Sequence, residues 1–270
     1  MEYDSKKPTV WAREARTVGF SSCKKEVWFP MTQGRVHSLE SMGLVDGPGI
    51  RTVVFLQGCA LRCRYCHNPD TWAVDGPADA VTPRQLVERL VRFKPYYGST
   101  GGVTFSGGEP LLQPEFLAQC LALCHEAGIH TCLDTAGCGL GEYEAILAHT
   151  DLILLDVKHY TPEGWRQVTG GSMAAFDRFL EQAQQAAVPL WVRHVVVPGL
   201  TDAEAHLTGL EAYLKGLKHI QRVELLPYHT LGVHKYASLG LPYPLEGAPP
   251  MDGAILEHWN ERLNRTCVQA

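Results

Sequence analysis

Three cysteines fall within eight residues, Cys59-Ala-Leu-Arg-Cys63-Arg-Tyr-Cys66, at the spacing C-x3-C-x2-C. Thiolates are soft donors, and three on one short loop can converge on a metal centre. A [4Fe–4S] cube is usually held by four cysteines. With three, one iron keeps an open position, as catalytic metal sites do. The spacing alone also admits a zinc site completed by His67, or a redox pair beside a bystander thiol. Further along stand Gly107-Gly108-Glu109-Pro110, Asp134-Thr135, Asp156 with Lys158, Arg193 and His229. Each has a plain reading. Gly-Gly-Glu-Pro is ordinary turn chemistry, Asp134 is a common helix N-cap type, and Asp156 with Lys158 makes a simple ion pair. His229 is one of 12 histidines.

What turns these residues into a set is the elements that must position them. Arg51 to Leu56 is an apolar, β-branched run of buried-strand type. Further strands are expected over residues 102–106, 130–134, 152–157, 190–197 and 222–226. Helices are expected from Thr82-Pro83, an N-cap with proline at the first helical position, and over residues 114–127, 142–149, 173–187, 202–217 and 252–265. Repeated strand–helix units imply a parallel sheet with right-handed crossovers. Six such units are too few for a closed eight-stranded barrel. In a barrel or an open sheet the site lies at the C-terminal strand ends, and the polar residues above fall there. Asp156 and Lys158 are two apart and share a face, as do Arg193 and Val195. Ahead of the first buried strand, Arg35 to Ser41 reads as an edge segment and Asp46-Gly-Pro-Gly as a turn.

Composition narrows the class. The chain has 270 residues, 45% hydrophobic and 20% charged, with a formal net charge of −5, so nothing draws it toward nucleic acid. No apolar run approaches the roughly 18 residues that span a bilayer. The N-terminus lacks the apolar core of a secretory signal. A cytoplasmic, non-membrane location is therefore expected. The nine cysteines are odd in number and not spread as a disulfide framework, which points to reduced thiols. Cys23, Cys120, Cys124, Cys132, Cys138 and Cys267 are read as structural; Cys120 and Cys124, four apart, mark a buried helix face. Residues 1–33 read as a poorly ordered tail, with Met31 as an alternative start, and residues 34–270 as the folded domain.

The cysteine motif after the first buried strand and Gly-Gly-Glu after the second resemble the radical S-adenosylmethionine (SAM) superfamily. A longer set of segments is similar to the pyruvate formate-lyase activase family, from Gly34 almost to the end: Gly34-Arg-Val-His-Ser, Val45-Asp-Gly-Pro-Gly-Ile-Arg51, Gln57-Gly-Cys59, Tyr65-Cys-His-Asn68, Asp70-Thr-Trp72, Ser106-Gly-Gly-Glu109, His130-Thr-Cys-Leu-Asp-Thr135, Leu155-Asp-Val-Lys158, Val195-Val-Val-Pro-Gly199 and Leu225-Leu-Pro-Tyr-His229. The resemblance implies a partial (β/α)6 barrel of the radical SAM type. It implies a [4Fe–4S] cluster on Cys59, Cys63 and Cys66, with SAM on the open iron. One-electron cleavage of SAM then gives methionine and a 5′-deoxyadenosyl radical, which takes a Cα hydrogen from a glycine of the target enzyme. It further implies that Tyr65, Cys66, His67, Gly107, Gly108, Asp156, Val157, Lys158, Arg193 and His229 contact the cofactor. Asp134, Thr135 and Asp156, with backbone near Leu154, match positions holding a small, monovalent cation. Asp46 and Gly47 match a segment that receives the partner's glycine loop. The implied partners are pyruvate formate-lyase and a reducing flavodoxin or ferredoxin, and the implied state is a monomer. Trp72 to Val81 is short and free of cysteine, where many activases of other glycyl-radical enzymes insert a ferredoxin-like domain. Cys138 follows Asp134-Thr-Ala-Gly, where the family commonly has an Asn and an aromatic, a departure expected to leave the chemistry intact. Activation of a different glycyl-radical enzyme, or a non-catalytic metal or electron-transfer role, are the alternatives.

Overall fold

The computed structural model describes residues 32–268; the tail through Met31, with Cys23, lies outside the described residues. Six strands run parallel: β2 (Arg51–Leu56), β4 (Gly102–Gly107), β5 (His130–Thr135), β6 (Leu152–Asp156), β7 (Leu190–Val196) and β8 (Ile220–Pro227). These are the six expected from the sequence, in sequential order across an open sheet. Two antiparallel strands extend it beyond β2. The expected edge segment is β1 (Gly34–Gly43), which pairs with β2. A three-residue strand, β3 (Asp79–Val81), pairs with β1 and forms that edge.

Alternation along the strands separates core from site. In β7, Leu190, Val192, His194 and Val196 are buried under the helices, while Arg193 and Val195 face a cavity on the other side. The helices cover the outer face. α1 (Pro83–Val91) starts at a complete capping box between Thr82 and Gln85. α2 (Pro114–Glu126) buries Phe116, Leu117, Leu121 and the two cysteines four apart, Cys120 and Cys124. α3 (Glu144–Leu147) is a single turn, shorter than expected. The stretch before it carries Gly137, Gly139 and Gly141, and a side chain at Gly139 would meet Leu111 Cβ at 2.4 Å, so this backbone packs as a loop. α4 (Pro162–Thr169) was not anticipated; it starts on a Thr161 cap and ends on left-handed Gly170. α5 (Ala174–Gln185), α6 (Glu204–Leu214), the short α7 (His234–Ser238) and α8 (Gly253–Cys267) complete the set. No described helix is long and apolar enough to cross a membrane.

The second edge of the sheet, β8, is closed by side chains. Asn264 of α8 accepts from Val223 N at 3.0 Å and donates to Val223 O at 2.7 Å. One helical turn earlier, Asn260 accepts from Leu225 N at 2.7 Å and donates to Leu225 O at 3.5 Å. The two amides stand in for a neighbouring strand.

Candidate active site

The loop after β2 is tied down on both flanks. Gly58 N donates to Thr71 O (2.8 Å) and Cys59 N to Trp72 O (3.1 Å). On the other flank, Arg62 N and Arg64 N donate to Thr169 O and Val168 O at 2.8 and 2.9 Å. Those two oxygens belong to the carbonyls that a helix C-terminus leaves without an intrahelical partner, so α4 gains a cap and the cysteine loop gains an anchor. Cys59, Cys63 and Cys66 are free thiols bordering one cavity of about 270 Å³.

Every other strand end contributes to the same cavity. Gly107, at the end of β4, has φ +116°. A Cβ there would meet Leu56 N at 2.2 Å, and one on Gly108 would meet Gly58 O at 2.2 Å. Both glycines are required by close packing of two backbones, and what they present to the cavity is main chain. Glu109, which sequence reasoning treated as part of a turn, is a staple. Its fully buried carboxylate accepts from Thr135 Oγ1 (2.5 Å), Leu111 N (3.2 Å), Ala136 N (3.0 Å) and Cys138 N (3.5 Å). Burial still pushes its pKa up to about 7.

Opposite the cysteines lies a charged group. Arg193 bridges two carboxylates, Asp134 through Nη2 and Asp156 through Nε (3.2 Å). Lys158 Nζ also pairs with Asp156, at 2.8 Å. Asp134 takes a further bond from Ser106 Oγ at 2.7 Å, a contact the period-2 face of β4 could have announced. Burial and the neighbouring Asp156 push Asp134 up to about 6 against the pull of Arg193. For Asp156 burial acts upward too, but Arg193 and Lys158 together outweigh it and hold the carboxyl below its ordinary value. Both cations are held charged by these carboxylates despite burial. The far wall comes from the segment after β8, where His229 stacks on His67 with centroids 4.1 Å apart and accepts from His67 Nε2 through its carbonyl at 3.0 Å.

The structure thus brings Cys59, Cys63, Tyr65, Cys66, His67, Gly107, Gly108, Asp134, Thr135, Asp156, Lys158, Arg193 and His229 to one cavity. Val157 is not among its lining residues. Its side chain is buried in the core and its carbonyl bonds to His194 Nδ1 at 2.6 Å. Leu154 packs with Cys132, Leu152 and Trp191. Asp46 and Gly47 also lie off the lining, at the turn before β2. The oxygens expected around a cation are committed elsewhere: Asp134 and Asp156 to Arg193 and Lys158, Thr135 to Glu109.

The residues present fit a cluster with a polar cofactor beside it. Burial pushes the Cys59 and Cys63 thiols up to about 12, with negative Glu109 adding to the first, so both need metal charge to stand as thiolates. Tyr65 Oη is buried at the cavity and lacks a hydrogen-bond partner among the described residues, a cost that a ligand would remove.

Comparison with known proteins decides the family. The model of the radical SAM superfamily matches residues 53–208. The chain is 56% identical over 223 residues to a pyruvate formate-lyase-activating enzyme of Clostridium pasteurianum, covering 82% of this chain and 93% of that protein. This chain belongs to the radical SAM superfamily. Radical SAM proteins work with a [4Fe–4S] cluster and SAM, in agreement with the expected cofactors. A pyruvate formate-lyase-activating enzyme of Streptococcus mutans is 47% identical over 234 residues, covering 84% and 89% of the two chains. Among solved radical SAM folds, a domain of a pyruvate-formate lyase-activating enzyme from Bacteroides vulgatus aligns with TM-score 0.50 at 24% identity, over 63% of this chain and 97% of that one. Streptococcus suis SuiB bound to S-adenosylmethionine aligns with TM-score 0.57 at 16% identity, over 76% and 44%. These two establish the fold, a partial barrel as the resemblance implied.

Proposed function

We propose that this chain activates pyruvate formate-lyase under anaerobic conditions. The observation that carries the reading is the convergence of three thiols, exposed glycine main chain and a paired Asp–Arg–Lys group at one end of the parallel strands, in a chain 56% identical to an enzyme named for that activity.

Cys59, Cys63 and Cys66 hold the cluster. Bound there, cluster and SAM would supply one-electron reductive cleavage, the chemistry needed to remove a Cα hydrogen from a glycine of the partner. The chain's own part is position and electrostatics. The Gly107–Gly108 main chain and the Asp156, Lys158 and Arg193 side chains would hold the amino acid end of SAM. Tyr65, His67 and His229 wall the rest of the cavity. Arg193 and Lys158 would pair with the carboxylate of SAM, and Asp134 and Asp156 keep them charged in a buried setting. A small cation at Asp134, Thr135 and Asp156 would displace Arg193 or Lys158 from those oxygens. Leu61, Val195 and Leu226 line part of the cavity, and apolar walls help keep water from a carbon radical. Asp46 and Gly47 receive the partner's glycine loop, a reducing flavodoxin or ferredoxin delivers the electron, and the chain acts as a cytoplasmic monomer.

The test is anaerobic reconstitution followed by mixing with pyruvate formate-lyase. About four irons per chain, reductive formation of 5′-deoxyadenosine and a glycyl-radical doublet in electron paramagnetic resonance are expected. Absence of the doublet, with cleavage of SAM intact, would assign the chain to another glycyl-radical enzyme. Retention of cleavage in Cys59→Ala, Cys63→Ala or Cys66→Ala would remove the cluster assignment.

A further inference from the structure

Arg51 is the first residue of β2, and its side chain is fully buried. No described carboxylate comes within ion-pair distance of the guanidinium. Its partners are neutral. Nε donates to Thr104 Oγ1 (2.7 Å), Nη2 to Val103 O (2.7 Å) and His130 O (3.2 Å), and Nη1 to Pro48 O (3.0 Å). A buried cation with no carboxylate in contact is expensive, since Asp151 and Asp46 act on it only from a distance, and an apolar side chain would fill the same space without that cost.

The guanidinium organises the turn that precedes it. Pro48 O is bound directly. Thr104 Oγ1, which accepts from Arg51 Nε, donates onward to Asp46 O at 2.6 Å. Two carbonyls of one four-residue turn therefore hang from one planar fork, a geometry lysine cannot reproduce. Gly47, at φ +118°, lies against the same side chain: a Cβ there would stand 3.1 Å from Arg51 Cδ and 3.2 Å from Cys132 Sγ. The turn is thus pressed onto side chains of β4 and β5. Its Asp46 carboxylate feels the positive charge of Arg193 across the interior, which counters the effect of its burial.

We propose that Arg51 is a positioning residue that holds the Asp46–Gly49 turn in the shape that accepts the partner's glycine loop. It acts on delivery of the glycine and leaves cofactor cleavage alone. This rests on the reading that the turn receives that loop. Arg51 and Thr104 border neither the thiols nor the Asp134–Asp156 group, so delivery and cleavage are separable by substitution.

The experiment uses the reconstituted full chain with Arg51→Met, Thr104→Val and Asp46→Asn. Three readouts are taken: the resonance of the reduced cluster with and without SAM, 5′-deoxyadenosine formed without partner, and glycyl-radical formation against pyruvate formate-lyase concentration. Arg51→Met is expected to raise KM for the partner at least tenfold, with cluster signal and partner-free cleavage within twofold. Thr104→Val, which keeps the arginine and removes the hydroxyl that accepts from Arg51 Nε and donates to Asp46 O, is expected to raise KM about threefold. It carries the test if Arg51→Met does not fold. Unchanged KM in Arg51→Met and Thr104→Val overturns the proposal. So does a parallel loss of cluster signal and cleavage, which would make Arg51 a structural plug. Asp46→Asn separates the two levels: an unchanged KM there removes the underlying reading of the turn, whereas a raised KM with Arg51→Met silent removes only the role of Arg51.

Discussion

Arg193→Met isolates what the charged group contributes. Arg193, Asp134 and Asp156 are only 11, 12 and 19% exposed, so solvent screens them little. Loss of the guanidinium leaves Lys158 on Asp156 but only Ser106 on Asp134. Removing one member of a buried ion pair costs roughly 3–5 kcal/mol, because the other charge stays buried without a partner. For a chain of this length that lowers Tm by about 6–15 °C. The assay is thermal unfolding of the cluster-free chain under reducing conditions, so that cluster loss does not mix into the transition. The sign of the pH dependence follows from Asp134. Its pKa is already raised to about 6, and without Arg193 it rises further. Below about pH 6 Asp134 is neutral with or without Arg193 and the penalty shrinks; it grows as pH rises above that value. Adding Asp134→Asn to Arg193→Met should recover part of the loss. A Tm change under about 2 °C, an equal penalty at pH 5.5 and 8, or simple additivity of the two substitutions would refute the reasoning.

Three other outcomes are expected. Glu109 keeps its proton to about pH 7 when folded, against an ordinary value of 4.5. The folded state therefore binds more proton in that window, stability falls as pH rises through it by on the order of 3 kcal/mol, and Glu109→Gln should flatten that slope in denaturant titrations. Thr161→Ala removes the cap on Gly164 N and should cost about 1 kcal/mol. Because α4 anchors the cysteine loop, amide exchange at Arg62 and Arg64 should quicken in the same variant. Asn264→Leu strips both bonds from Val223 and should lower stability by about 2 kcal/mol; a midpoint shift in urea indistinguishable from wild type would count against the edge cover.

The parallel strands were legible because each is a short apolar run with its polar residue at the C-terminal end. The helix α4 is equally legible in principle, since Thr161-Pro162 repeats the Thr82-Pro83 signal and Gly170 closes it; what hides it is its shortness and its place between a strand and a longer helix. β3 was not legible: three residues gain strand identity only from β1, more than thirty positions away along the chain. At the site, residue types were readable and pairings were not. The carboxylate of Glu109 meets donors that come 26–29 residues later, and Arg193 reaches two other strands. Val157 shows the limit of adjacency: it sits between Asp156 and Lys158, yet the period of two turns it to the core.

The amides of Asn260 and Asn264 bear on how a partner can be read. Many proteins capture peptides by letting them join a sheet as one more strand. Here β8 offers that docking line only if α8 peels away, and the opposite border, β3, is three residues long. On that side β3 covers only residues 34–36 of β1, so the described strands leave one line for such pairing, along residues 37–43. At β8 the two amides close Val223 and Leu225 to it, which also guards that border against edge-to-edge contact between copies.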